Sequence, residues 1–182
     1  ADETVPIHKV VSDPYEDNVS DANLPTGEHI FSPDRKNSRG FDESDIGALR
    51  AFHHDVVSNR ADDHQPVRPG DASPQEVASA FNRARTSSWR TSDPAKRAEI
   101  LDRIADCYEQ AAGKIYHLLV HEAGKTIDDA AGELREAVDF CRYYATETRR
   151  LAPASKARGT VVAISPWNFP LAIFTGQIVA AL

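Results

Sequence analysis

Pro166 and Pro170 bracket Trp167, Asn168 and Phe169, and this stiffened turn separates two apolar segments of different pattern. Before it, Gly159-Thr160-Val161-Val162-Ala163-Ile164-Ser165 is a short β-branched run bounded by glycine and proline, the pattern of a buried, parallel strand. After it, residues 169–182 are apolar apart from Thr175 and Gln177 and read as a helix that begins at Pro170. A strand, a tight turn and a helix open an α/β unit, in which ligands sit beyond the carboxyl end of the strand. The predicted fold class is α/β.

A side-chain amide held at such a turn can donate its NH2 hydrogens to a developing oxyanion. When preorganised, a donor of this kind is worth roughly 3 to 4 kcal/mol of transition-state stabilisation. Asn168 can equally cap the helix that follows. The residues alone leave both roles open.

Upstream, the signals are helical. Ser73-Pro74-Gln75-Glu76 has an N-cap serine, a proline at the first helical position and a capping-box glutamate, followed by an apolar stripe of Val77, Ala80, Phe81 and Ala84. Ser92-Asp93-Pro94 starts a second helix, with Ile100, Leu101, Ile104, Tyr108 and Ala111 on one side. A short helix from Lys114 ends near Gly124, a residue suited to a left-handed cap, and Thr126 caps the longest helix. Its Ile127, Ala130, Leu134, Ala137, Val138, Cys141, Tyr144 and Ala145 keep helical spacing. A shorter helix is expected from Ser44 to about Val57, with Ile46, Leu49, Phe52 or His53, and Val56 on one face. Three regions follow: an arm or linker with a short helix over 1–65, a helical layer over 66–157, and the start of a Rossmann-like cofactor unit over 158–182.

Composition narrows the function classes. A formal net charge of −7 argues against a nucleic-acid surface, and 41% hydrophobic residues support a real core in a 182-residue chain. Cys107 and Cys141 fall at core-facing helical positions, so packing is expected of both rather than a disulfide or a nucleophile. No signal peptide opens the chain, and the apolar end is too short for a membrane span, which together read as a cytoplasmic protein. His117 and His121 lie one helical turn apart without an evident third ligand, and His53, His54 and His64 sit in polar surroundings, so no metal is expected. Asp128-Asp129 suits the positive end of a helix dipole.

These residues carry a family resemblance. Ile164-Ser165-Pro166-Trp167-Asn168-Phe169-Pro170-Leu171 resembles the cofactor-turn motif of the aldehyde dehydrogenase superfamily, and Glu122-Ala123-Gly124-Lys125-Thr126 is similar to its upstream Glu-x-Gly-Lys motif. The resemblance covers roughly residues 66–182. The continuation from Leu171 to Gln177, and the helix from Leu134 to Ala145, are similar to the 1-pyrroline-5-carboxylate dehydrogenase branch. Residues 35–42 resemble the segment that joins the halves of bifunctional proline utilization proteins.

The resemblance implies NAD-dependent oxidation of glutamate γ-semialdehyde to glutamate. It places Asn168 as oxyanion donor and Ile164, Ser165, Pro166 and Trp167 along the cofactor. It places Phe169 on the aliphatic part of the substrate and Glu122 near the substrate's amino group. FAD would enter only with an upstream proline dehydrogenase domain. The partner is a small-molecule aldehyde, the parent is expected to be a homo-oligomer, and a bifunctional parent could lie peripherally at the inner membrane. The family's nucleophilic cysteine, general-base glutamate and cofactor-binding lysine follow the motif and have no counterpart in these residues. The chain, which also lacks methionine, is therefore expected to be a fragment without activity of its own. Another NAD(P)-dependent aldehyde dehydrogenase and a non-catalytic helical interaction module are the competing readings.

Overall fold

The computed structural model describes residues 27–40, 42, 44–59, 70–151 and 156–182. The polar stretches near Asp13-Pro14 and Leu24-Pro25, together with His64, Pro66 and Pro69, lie outside the described residues. Among the described residues six α-helices follow one another: α1 (Ile46–Ser58), α2 (Pro74–Thr86), α3 (Pro94–Gln110), α4 (Ala112–His121), α5 (Ile127–Arg150) and α6 (Ala172–Ala181). Short 3₁₀ turns occupy Gly27–His29 and Ser88–Thr91.

Local chemistry sets most of the starts. Asp45, Ser73, Asp93 and Thr126 each accept an N–H of the first turn through the side chain, and Pro74 and Pro94 occupy the first helical positions, where no N–H is needed. Helix α5 is the centre of the layer and packs against α3, α4 and α6, while α1 packs against α4. Ala98, Leu101 and Ala105 of α3 face Ala130, Leu134, Val138, Cys141 and Ala145 of α5 in the core. The alanines let the two backbones approach closely, and Leu101 and Val138 fill the remaining space. Arg142, 7% exposed, crosses this seam to Asp106 at 2.8 Å, with the Glu109 carboxylate at 3.7 Å. Helix α6 is pressed onto α5 through Gly176, where a Cβ would stand 2.8 Å from the Phe140 ring.

The α/β expectation is overturned. The described residues form helices, turns and irregular segments with no strand, and the predicted Rossmann-like start over 158–182 contributes only α6. A β-strand exists through a neighbour that takes up its N–H and C=O groups, and no described segment pairs with residues 159–165 as a strand. Val161, Val162 and Ile164, read as a buried strand, are accordingly 57%, 76% and 81% exposed. Helix α6 begins at Ala172 rather than Pro170, because residues 170 and 171 belong to the turn.

The described part of the arm docks on the helical layer, where the Ser38 N–H donates to Asp139 at 2.6 Å and the Arg39 N–H to Glu109 at 2.9 Å. Burial raises the Asp139 pKa above its ordinary value, against the lowering effect of the Ser38 N–H. Of the two cysteines only Cys141 is in the core, where burial pushes its thiol up to about 12, and Cys107 is exposed. In α1 it is Phe52 and Val56 that are buried, while Ile46 is exposed. Among the described residues, no helix is long and apolar enough to cross a membrane.

Candidate functional site

The two motifs separated in sequence meet in space. Helix α4 ends at His121 with Glu122 as its cap, and Gly124 adopts a left-handed φ of +67° that turns the chain back so that the Lys125 N–H donates to the Leu119 carbonyl. This turn aims the Lys125 side chain at the proline-bracketed segment. Its ammonium donates to the Asn168 carbonyl at 2.6 Å and lies 4.6 Å from the centre of the Phe169 ring.

Glu133 of α5 completes the arrangement. It is 3% exposed, and its Oε2 accepts the N–H of Leu171 at 3.2 Å and of Ala172 at 2.7 Å. Leu171 stands at the N-cap of α6 and has no side-chain acceptor of its own, so the cap comes from a helix 39 residues earlier. The other oxygen, Oε1, lies 3.0 Å from the Lys125 ammonium, off the line of a good hydrogen bond, so that contact is mainly Coulombic. Both side chains are withdrawn from water, Lys125 to 13% and Glu133 to 2% exposure.

The turn itself is closed by the Phe169 N–H donating to the Pro166 carbonyl at 3.3 Å, and Gln177 of α6 donates to the Ile164 carbonyl at 3.1 Å. Asn168 is exposed, with its carbonyl held by Lys125. Trp167 is 89% and Phe169 38% exposed, Pro166 is exposed, and Ser165 is half-buried. Glu122 is exposed at the head of the loop that carries Lys125. The structure thus brings the Glu122–Lys125 loop onto the Asn168 turn. Ile164, Pro166 and Trp167 form an exposed edge leading into it.

Two residues of this arrangement were not singled out from the sequence. Lys125 lay inside a quoted motif, and Glu133 carried a legible signal: an acidic residue in register with Ala130 and Ala137 on the buried side of α5. His117 bonds through Nδ1 to the Val56 carbonyl at 2.8 Å and so ties α4 to α1. A separate cavity of about 440 Å³ between the arm and α5, lined by Arg35, Arg135, Asp139, Phe140 and Tyr143, shares no residue with the turn.

With this geometry established, comparison with known proteins is direct. The model of the aldehyde dehydrogenase family matches residues 53–182. The chain belongs to the aldehyde dehydrogenase family. It is 34% identical over its whole length to the bifunctional protein PutA of Salmonella typhimurium, of which it spans 17%. A 1-pyrroline-5-carboxylate dehydrogenase of Staphylococcus aureus is 34% identical over 74% of the chain, which covers 30% of that enzyme. Among solved structures, a crystal structure of a bifunctional proline utilization A protein superposes with a TM-score of 0.78 at 38% identity, covering 87% of this chain and 18% of that one. This aldehyde dehydrogenase chain therefore spans about a sixth of the length of its bifunctional relatives.

Proposed function

We propose that the chain is part of an NAD-dependent dehydrogenase that oxidises L-glutamate γ-semialdehyde, the open form of 1-pyrroline-5-carboxylate, to L-glutamate in proline catabolism. The observation that carries the reading is the braced turn at Asn168: an exposed, amide-bearing residue held at its backbone carbonyl by the Lys125 ammonium. Membership of the aldehyde dehydrogenase family supports the reaction class. Similarity to proteins named bifunctional PutA and 1-pyrroline-5-carboxylate dehydrogenase supports the substrate.

The reaction calls for a donor that meets negative charge as it develops on the aldehyde oxygen. Nucleophilic attack on the carbonyl turns a weakly charged oxygen into an oxyanion, and a donor already in place there needs no reorganisation. The Asn168 NH2 group is that donor, Phe169 packs on the aliphatic chain of the substrate, and Glu122 meets its amino group. When bound, NAD accepts the hydride, and Ile164, Ser165, Pro166 and Trp167 line it. Ile164 and Trp167, 81% and 89% exposed, offer an open apolar edge that suits a flat nucleotide. The N-terminus of α6 offers no comparable phosphate site, because its Leu171 and Ala172 N–H groups are held by Glu133. An upstream proline dehydrogenase domain in the parent would add FAD, and the parent enzyme is cytoplasmic and homo-oligomeric in this reading.

The test is NAD reduction by the full-length parent protein with 1-pyrroline-5-carboxylate and with propanal. A site built to pair the substrate's charged groups should favour the former by at least about 100-fold in kcat/KM. Equal rates on the two aldehydes would remove the substrate assignment.

A further inference from the structure

Glu133 presents a problem that its own helix does not solve. A carboxylate at 3% exposure in the second turn of α5 is unfavourable unless its charge is met, and the groups that meet it come from outside α5. They are the N–H groups of Leu171 and Ala172 and the Lys125 ammonium. The same ammonium holds the Asn168 carbonyl at 2.6 Å. Glu133 therefore fixes the start of α6 on one side of the turn, and Lys125 fixes the peptide that carries the Asn168 amide on the other.

Resting on the reading of Asn168 as oxyanion donor, we propose that Lys125 and Glu133 are its positioning residues: the buried ion pair sets where the Asn168 amide stands and touches no reacting atom. Three features carry this. The Lys125 ammonium holds the Asn168 carbonyl by a hydrogen bond of 2.6 Å and faces Glu133 Oε1 at 3.0 Å by charge, so one cation serves both. The α6 cap is borrowed from α5 rather than made locally, which locks the turn to the longest helix of the layer. Gly124, at φ +67°, delivers Lys125 to this position.

A positioning role and a merely structural one differ in how their effects combine. If Lys125 acts through Asn168, its loss changes nothing once the Asn168 amide is gone. The experiment is a double-mutant cycle on the full-length parent protein, Lys125→Met and Asn168→Ala singly and together, read as kcat and KM for 1-pyrroline-5-carboxylate with NAD. Lys125→Met should lower kcat about 10- to 100-fold, the scale of a misplacement near 1 Å, with KM for NAD within about twofold. The double variant should match Asn168→Ala within about twofold, and Lys125→Arg should recover most of the lost rate. Losses that multiply in the double variant, or an unchanged kcat in Lys125→Met, would overturn the proposal.

Failure of the functional reading shows separately, as an Asn168→Ala variant that loses no activity. A crystal structure of the full-length Lys125→Met protein then decides the positioning role without any turnover. Displacement of the Asn168 peptide and loss of the Glu133 bonds to Leu171 and Ala172 support it, and an unmoved turn refutes it. Lys125→Gln, which keeps a donor without the charge, is read in the same way if Lys125→Met does not fold.

Discussion

Helix α2 begins at Ser73 with a complete capping box, helix α5 begins at Thr126 with a hydroxyl that accepts the Asp129 N–H, and both carry apolar residues at helical spacing. Their surroundings differ sharply. Helix α5 has ten buried residues and touches three other helices, whereas α2 has none, with Val77 and Phe81 58% and 55% exposed. Capping and periodicity decide that a helix forms; the elements available to cover its stripe decide whether the stripe becomes core. The functional consequence follows from the same contrast. Because α5 is packed on several sides, it can hold a buried Glu133 in one place and so reach across to the Asn168 turn.

The sharpest break of this comparison is a core truncation on the α5 side. Leu101→Ala empties fully buried volume between α3 and α5 and should destabilise the chain by about 2 to 5 kcal/mol in urea unfolding. A loss below about 1 kcal/mol would mean that the seam is not the core. Removing the cap of α2 should matter less. Ser73→Ala deletes the hydroxyl that accepts the Glu76 N–H at 3.3 Å and should cost about 1 kcal/mol, visible as faster amide exchange in α2. Acid probes the same box. Glu76 is held below its usual pKa of 4.5 by the Ser73 N–H, so its contribution is complete above that value and is lost as pH falls through the lowered one. Protection of the α2 amides, relative to their intrinsic exchange at each pH, should fall across that window. Smallest of all, Phe81→Ser should change stability by no more than about 0.5 kcal/mol, because its ring is already half in water. A large loss there would show that α2 is covered after all.

What could be read from the sequence follows this division. The starts at Ser73, Asp93 and Thr126 were legible because a cap acts within four residues of itself. The left-handed Gly124 was legible for the same reason, as a glycine at the end of an apolar helical run. The expected strand over residues 159–165 failed because strand formation depends on a partner that local composition cannot supply. Val77 and Phe81 were read as a stripe and are one, but burial was not encoded in the stripe itself. Cys107 shows the same limit, a core-like position on α3 that no neighbour covers.

At the candidate site the motif residues were visible, and their coupling was not. Asn168 and the Glu122-to-Thr126 loop stood out by residue type and order. That Lys125 would close the distance between them, 43 positions along the chain, depended on how α4 and α5 pack. Glu133 announced itself only as a charge in an apolar register, and its partners, backbone N–H groups of another helix, leave no mark in the sequence.

The central claim is that the Asn168 amide stabilises an oxyanion. It is tested most directly by Asn168→Ala in the full-length parent protein, assayed with saturating NAD and 1-pyrroline-5-carboxylate alongside circular dichroism. The account predicts a kcat about 100- to 1,000-fold below the parent's with an unchanged helical spectrum. A kcat within twofold of the parent's would contradict it.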